Sequence, residues 1–210
     1  MSERSAPLAR YRDYNVLDKW STPSWNDATR RVVDVRLNHV PQTRFFDADE
    51  WRTLEAICAR LIPQPDRPDD PVPIAPWIDE TIFNRSDEGY RYHDLPPLPD
   101  AWRKALRGVE QDSERLFGRS FRDLVEADQD ALLTRVQSGD VEGDAWAGMN
   151  VRRFFRSVLL KMVVGVYYAH PAAWSEIGFG GPASPRGYVR LGMGQSDAWE
   201  AKEQPPEERA

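Results

Sequence analysis

Apolar residues recur at three- and four-residue intervals along most of the chain, the periodicity of helices that bury one face. Trp25, Ala28, Val32, Val35 and Leu37 begin the series behind Ser24 and Asp27, and Pro41 closes it. Trp51, Leu54, Ile57, Cys58 and Leu61 form a second stripe, started by Asp47 with Glu50 as a capping box and ended by Pro63. A short helix from about Ala75 to Phe83 is expected to bury Trp77, Ile78 and Ile82 and to expose Asp79 and Glu80. Pro99 and Asp100 suit the first turn of a fourth helix, striped by Trp102, Ala105, Leu106, Val109, Ser113, Leu116 and Phe117 and stopped by Gly118. Leu132, Leu133 and Val136 mark a fifth, from about Glu126 to Gln137, with Gly139 behind it. Asn150 caps the last, 151–169, whose surface is apolar nearly all round (Phe154, Phe155, Val158, Leu159, Met162, Val163, Val166, Tyr167) and which is therefore expected to be central.

This pattern predicts an all-α fold. The expected organisation is a helical domain of about six helices over 24–199, an extended N-terminal arm at 1–23 and a disordered tail at 200–210. Residues 63–73 read as a proline-rich loop and 84–97 as another. Past the last helix, 167–188 is dense in Gly, Pro and aromatics, which predicts a loop of imposed shape, because Pro fixes φ and Gly permits positive φ. Loops of that kind serve recognition more often than simple connection.

Composition narrows the function. The 210 residues carry 28 Lys+Arg against 34 Asp+Glu, a net charge of −6, with both signs interleaved and no basic block, which argues against a nucleic-acid partner. The eight Trp are a compositional oddity, and Trp favours cores and interface centres. Cys58 is the single cysteine, so no intrachain disulfide and no cysteine-based metal site can form; it reads as a buried small hydrophobe. The longest apolar run, Val158 to Tyr168, is broken by Lys161 and falls short of the ~20 residues of a membrane span. Arg30-Arg31 is followed by Val32-Val33-Asp34-Val35-Arg36, whose charges contradict a twin-arginine export signal, so this chain is expected to carry none.

Catalytic equipment is sparse. None of His39, His93 and His170 has a partner at metal-ligand spacing, and His170 reads as a donor at a helix C-terminus. Asp47-Ala48-Asp49-Glu50 lacks the Gly and distal Glu of a calcium loop. Gly178 to Ala183 fits G-x-G-x-x-A in letters, without the strand before and helix after that a dinucleotide site requires. No G-x-S-x-G or Walker sequence occurs. An interaction protein suits these residues better than an enzyme. Trp174, Phe179, Pro182, Pro185, Arg186 and Tyr188 are the candidate partner contacts, with Tyr11, Tyr14 and Trp20 from the arm as a second set. The same side chains serve equally well to cover the chain's own helices. The alternative is a stand-alone enzyme or small-ligand binder with a Trp-lined pocket near His170 and Arg186.

With these residues in view, the sequence resembles the gluconate 2-dehydrogenase subunit 3 family. The resemblance runs over roughly 44–199 and rests on Phe45-Phe46-Asp47-Ala48-Asp49-Glu50-Trp51, Arg60-Leu61-Ile62-Pro63, Pro76-Trp77-Ile78-Asp79, Phe121 to Leu133 and Phe154-Phe155. Its most specific part is Tyr167-Tyr168-Ala169-His170-Pro171, Trp174-Ser175-Glu176-Ile177-Gly178-Phe179-Gly180-Gly181-Pro182 and Pro185-Arg186-Gly187-Tyr188. The resemblance implies a cofactor-free accessory subunit of a flavin-dependent sugar or sugar-acid dehydrogenase, without catalytic activity alone. The implied partner is a large FAD-bearing subunit of the glucose–methanol–choline oxidoreductase type, with a cytochrome c subunit carrying haem c as a third member in many complexes. The small subunit assists folding, stability or export of the flavoprotein. Family members often carry a twin-arginine signal; this chain departs from that pattern. The implied location is periplasmic if it is exported with its partner, and cytoplasmic otherwise.

Overall fold

The computed structural model describes residues 11, 13–84, 92–182, 192–193 and 195–203, and no strand occurs among them. The all-α expectation holds. In chain order the helices are α1 (Asp27–Asn38), α2 (Ala48–Leu61), α3 (Ile74–Phe83), α4 (Leu98–Phe117) and α5 (Glu126–Ser138). Helix α6 follows as three consecutive segments, Val151–Arg153, Phe154–Leu159 and Leu160–Tyr168, and α7 spans Pro171–Ile177. The chain divides into two compact units, one of Val40–Tyr167 and one of Met1–His39 with Tyr168–Ala210.

In the unit Val40–Tyr167, local signals set the helix ends. Asp47 accepts from the Asp49 and Glu50 amides at 3.0 and 2.9 Å, and the Glu50 carboxylate receives the Asp47 amide at 3.3 Å, completing the predicted capping box. Gly118 and Gly139 end α4 and α5. Cys58 is buried on α2, and loss of water pushes its thiol up to about 12, helped by the Glu55 charge, so it acts as the small hydrophobe expected. Trp102 on α4 is fully buried and meets Phe46 and Phe154 edge-on, with ring centroids 6.2 and 5.4 Å away.

Asp79 corrects the sequence reading. Expected on the solvent side of α3, it is fully buried, and its carboxylate accepts the backbone amides of Arg44 (2.8 Å), Phe45 (3.0 Å) and Phe46 (3.0 Å). Three consecutive amides without helical partners satisfy one buried charge, which is why the charge is tolerated there. Arg103 of α4 completes the fixation by donating to the Phe45 carbonyl at 2.7 Å and lying 4.5 Å over the Phe45 ring.

Helix α6 owes its middle to a register problem. Its inward residues Val151, Phe155, Leu159, Val163 and Tyr167 recur every four residues, and all are buried. A regular α-helix turns such a stripe by about 40° per repeat. The segment Phe154–Leu159 is π-helical, and its looser winding absorbs the excess and keeps the stripe facing in. Asp94 ties the start of this helix, receiving Asn150 Nδ2 and Arg153 Nε at 2.7 Å each. Partial desolvation pushes the Asp94 carboxyl up, but bonds from Arg153 and Asn150, a backbone bond and the Arg153 charge outweigh it and hold the group below the usual carboxylate range.

In the other unit, α1 differs from expectation. Its cap is Asn26, accepting the Thr29 amide at 2.9 Å, and its buried residues are Thr29 and Val33. Val32 and Val35, on the stripe that predicted the helix, are 48% and 46% exposed. Apolar residues at 32, 33 and 35 supply two candidate faces, and the tertiary packing takes the one with Val33. The segment read as an extended arm carries a 3-10 turn, Val16–Lys19, with Val16 fully buried against Trp25, Val33 and Trp174. Arg30 of the twin arginine lies inside α1 and donates to the Trp20 carbonyl at 2.7 Å. Of the tail read as disordered, 204–210 lie outside the described residues.

Gly108 of α4 tests the packing of the larger unit. A Cβ there would overlap the Trp146 indole, whose Nε1 donates to the buried Asp112 carboxylate at 2.9 Å. Ala in place of Gly favours a helix by about 1 kcal/mol, whereas overpacking costs roughly 1–3 kcal/mol. Gly108→Ala is therefore expected to lower stability in urea unfolding; a gain in stability contradicts the close seating of Trp146.

Candidate functional site

The candidate contacts converge on residues 168–182, where the chain is partly helical and not wholly loop. Pro171 occupies the first position of α7, where its missing amide costs nothing, and His170 caps the helix by accepting the Ala172 amide on Nδ1 at 3.2 Å. His170 thus serves the following helix as an acceptor. Gly178 closes α7 with φ of 68°, and the Phe179 amide returns to the Trp174 carbonyl at 2.9 Å.

Trp174 points into its own unit. It is 3% exposed, donates through Nε1 to the Tyr168 carbonyl at 2.7 Å, and meets Phe179 edge-on at 5.8 Å. The Arg36 guanidinium stands 5.7 Å over its ring and donates to the Ala169 carbonyl at 2.5 Å. Burial lowers the Arg36 pKa, the cost of holding a cation there.

The other candidates divide by exposure. Phe179 is 40% exposed and Ile177 beside it 47%, whereas Pro182 is half-buried. Trp20 is half-buried edge-on to Trp25 at 6.1 Å, and Tyr11 is half-buried with its ring against Gly178. Tyr14 is half-buried, and burial, then the charges of Glu200 and Asp18, push its hydroxyl up to about 12. Pro185, Arg186 and Tyr188 lie outside the described residues, and with them half of the pocket imagined between His170 and Arg186.

Sequence reasoning missed the residue that pins the Gly178–Gly181 turn. Lys19 is 3% exposed and donates to the Gly180 carbonyl at 3.0 Å and to Glu200 at 2.7 Å. Gly180 leaves room for this pair, since a Cβ would stand 2.7 Å from both Lys19 Nζ and Glu200 Oε2. No local pattern marks a lysine whose partners lie over 160 residues away.

In the unit Val40–Tyr167, a groove of about 610 Å³ is lined by residues including Asp47, Glu50, Thr53, Arg107, Glu110 and Arg122. Its charges already have structural work. Glu110 takes the Thr53 hydroxyl at 2.6 Å and the Phe121 amide at 3.2 Å, and Glu50 belongs to the α2 cap and lies 3.4 Å from Arg107. Among the described residues, no group of three or more His, Cys, Asp or Glu is placed to hold a metal ion. Gly178–Pro182 follows a helix and not a strand, so it offers no phosphate cradle of the dinucleotide kind.

The fold is thus a helical scaffold whose buried polar groups cap and pin its own backbone. The chain belongs to the gluconate 2-dehydrogenase subunit 3 family, whose model matches residues 48–181, close to two thirds of its length. The match begins at the first residue of α2 and ends in the turn held by Lys19. No curated protein and no solved structure matches the chain.

The Lys19–Glu200 pair gives an ordered prediction. Lys19→Met leaves Glu200 accessible to water, while Glu200→Gln leaves a buried ammonium without its counter-charge. Removing one partner of a buried pair costs about 3–5 kcal/mol when the remaining charge is not solvated. Thermal and urea unfolding are expected to rank Glu200→Gln as the more damaging; the reverse order contradicts the burial of Lys19.

Proposed function

We propose that this chain is the non-catalytic small subunit of a flavin-dependent sugar or sugar-acid dehydrogenase, binding the FAD-bearing large subunit and assisting its folding, stability or export. The family match over 48–181 carries the reading, because the family is described as one subunit of a gluconate 2-dehydrogenase. The surface supports it. Helix α6 is apolar on several sides, and Val164 on it is 41% exposed, as are large apolar residues elsewhere such as Phe179 and Ile177. In this reading, hydride abstraction and the flavin belong to the large subunit, and a haem-c-bearing cytochrome subunit is the electron acceptor where a third member is present. Among the described residues no helix is long and apolar enough to cross a membrane.

The test is purification of the tagged chain from the cells that produce it, with a visible spectrum of the eluate. A co-purifying flavoprotein, bleached on addition of a sugar or sugar acid, is the expected result. A chain that elutes alone, without flavin, and turns over such a substrate by itself contradicts the proposal.

A further inference from the structure

The segment 195–203 belongs to the same unit as the Val16–Lys19 turn and Gly180, and side chains attach it there. Its described backbone bonds are local, from the Gln195 amide to the Gly192 carbonyl at 3.4 Å and from the Glu200 amide to the Asp197 carbonyl at 3.1 Å. Glu200 reaches Lys19 Nζ at 2.7 Å, and Trp199 beside it is half-buried. The two ends of the ion pair sit in unequal surroundings. The Lys19 side chain is 3% exposed and also donates to the Gly180 carbonyl, whereas the Glu200 side chain is 34% exposed. The ammonium is therefore fixed in the body of the unit, and the carboxylate enters from the solvent side.

Gly180 gives the site its room. A Cβ there would stand 2.7 Å from Glu200 Oε2 as well as from Lys19 Nζ, so the side chain that glycine lacks is the space the anion uses. Tyr14 lies close to the same anion: after burial, the Glu200 charge is the larger of the two that push its hydroxyl up. A buried ammonium requires a counter-charge, and here it comes from 181 residues further along the chain.

We propose that Lys19 and the gap at Gly180 form a carboxylate-binding site that Glu200 fills from within the chain, so that 195–203 is a strap closed by this one contact. The occupant in the structure sets the ligand class, a carboxylate on an unbranched stem. The site and the strap are separable. A free carboxylate can satisfy the ammonium as Glu200 does, but it is not joined to the segment and cannot hold it down. Filling the site then restores the stability of the unit, while closing the strap requires that the filling group be Glu200 itself.

The experiment uses full-length Glu200→Ala, which removes the atoms of one acetate ion from the site, with sodium acetate as the probe. Amide exchange over 197–203 is expected to quicken about 10-fold or more, while α1 and α7 keep their protection. In about 0.5 M sodium acetate the variant is expected to regain about half or more of its lost melting temperature, beyond the effect of equal sodium chloride. Exchange over 197–203 stays fast in acetate, a separation of the two readouts that a merely structural ion pair does not produce. Lys19→Met with Glu200→Ala leaves no buried charge and is expected to fold and to show no specific acetate response. Recovery no greater in acetate than in chloride overturns the site, and so does an equal acetate response of the double variant. Protection of 197–203 that survives Glu200→Ala, or that acetate restores, overturns the strap. If Glu200→Ala does not fold even in acetate, the site is overturned, and Lys19→Met decides the strap: it is expected to free 197–203, and retained protection contradicts it.

Discussion

The larger unit depends on one buried carboxylate. Asp79 has no exposure to water and is satisfied by three successive backbone amides, those of Arg44, Phe45 and Phe46. An amide left unpaired in such a place costs about 1–3 kcal/mol, and a buried carboxylate without donors costs more. Each group therefore requires the other. Consequences spread in both directions along the chain. With 44–46 fixed, Asp47 is delivered to the start of α2, Phe46 reaches Trp102, and the Phe45 carbonyl and ring meet Arg103 of α4. Helices α2, α3 and α4 are positioned through a single anion that does no chemistry.

The same economy appears throughout the molecule. Glu50, Glu110, Asp112 and Asp94 are all engaged with amides, hydroxyls, an indole or guanidinium groups of the chain itself. Polar groups occupied in this way hold a scaffold rigid and leave recognition to what remains on the outside. The π-helical stretch of α6 shows how local winding serves packing. One change in winding keeps the buried stripe in register and fixes which residues of the opposite side look outward.

Most of the helical scaffold was legible in the sequence because its signals are local. Asp47 and Glu50, Pro63, Gly118, Gly139 and Asn150 act within one turn of the ends they mark, and α2, α4, α5 and α6 begin or end there. What was illegible depends on distant parts of the chain. Asp79 looks like any acid beside Glu80, and nothing near it reveals donors 33–35 residues earlier. Lys19 is hidden for the same reason. Valines at 32, 33 and 35 made the faces of α1 ambiguous, and Pro171 reads as a loop residue until His170 is recognised as its cap. Of the candidate contacts, the aromatic character of Trp174 was legible, but not its direction, since a large apolar ring suits a core and an interface alike.

Amide hydrogen exchange at Arg44, Phe45 and Phe46 tests the central claim most directly, because these residues precede α2 and lie outside every helix. If Asp79 organises the unit, all three amides exchange as slowly as those in the middle of α2 and α4, and Asp79→Ala abolishes their protection before that of the helices. Exchange at the rate of an open loop in the unaltered chain would contradict it.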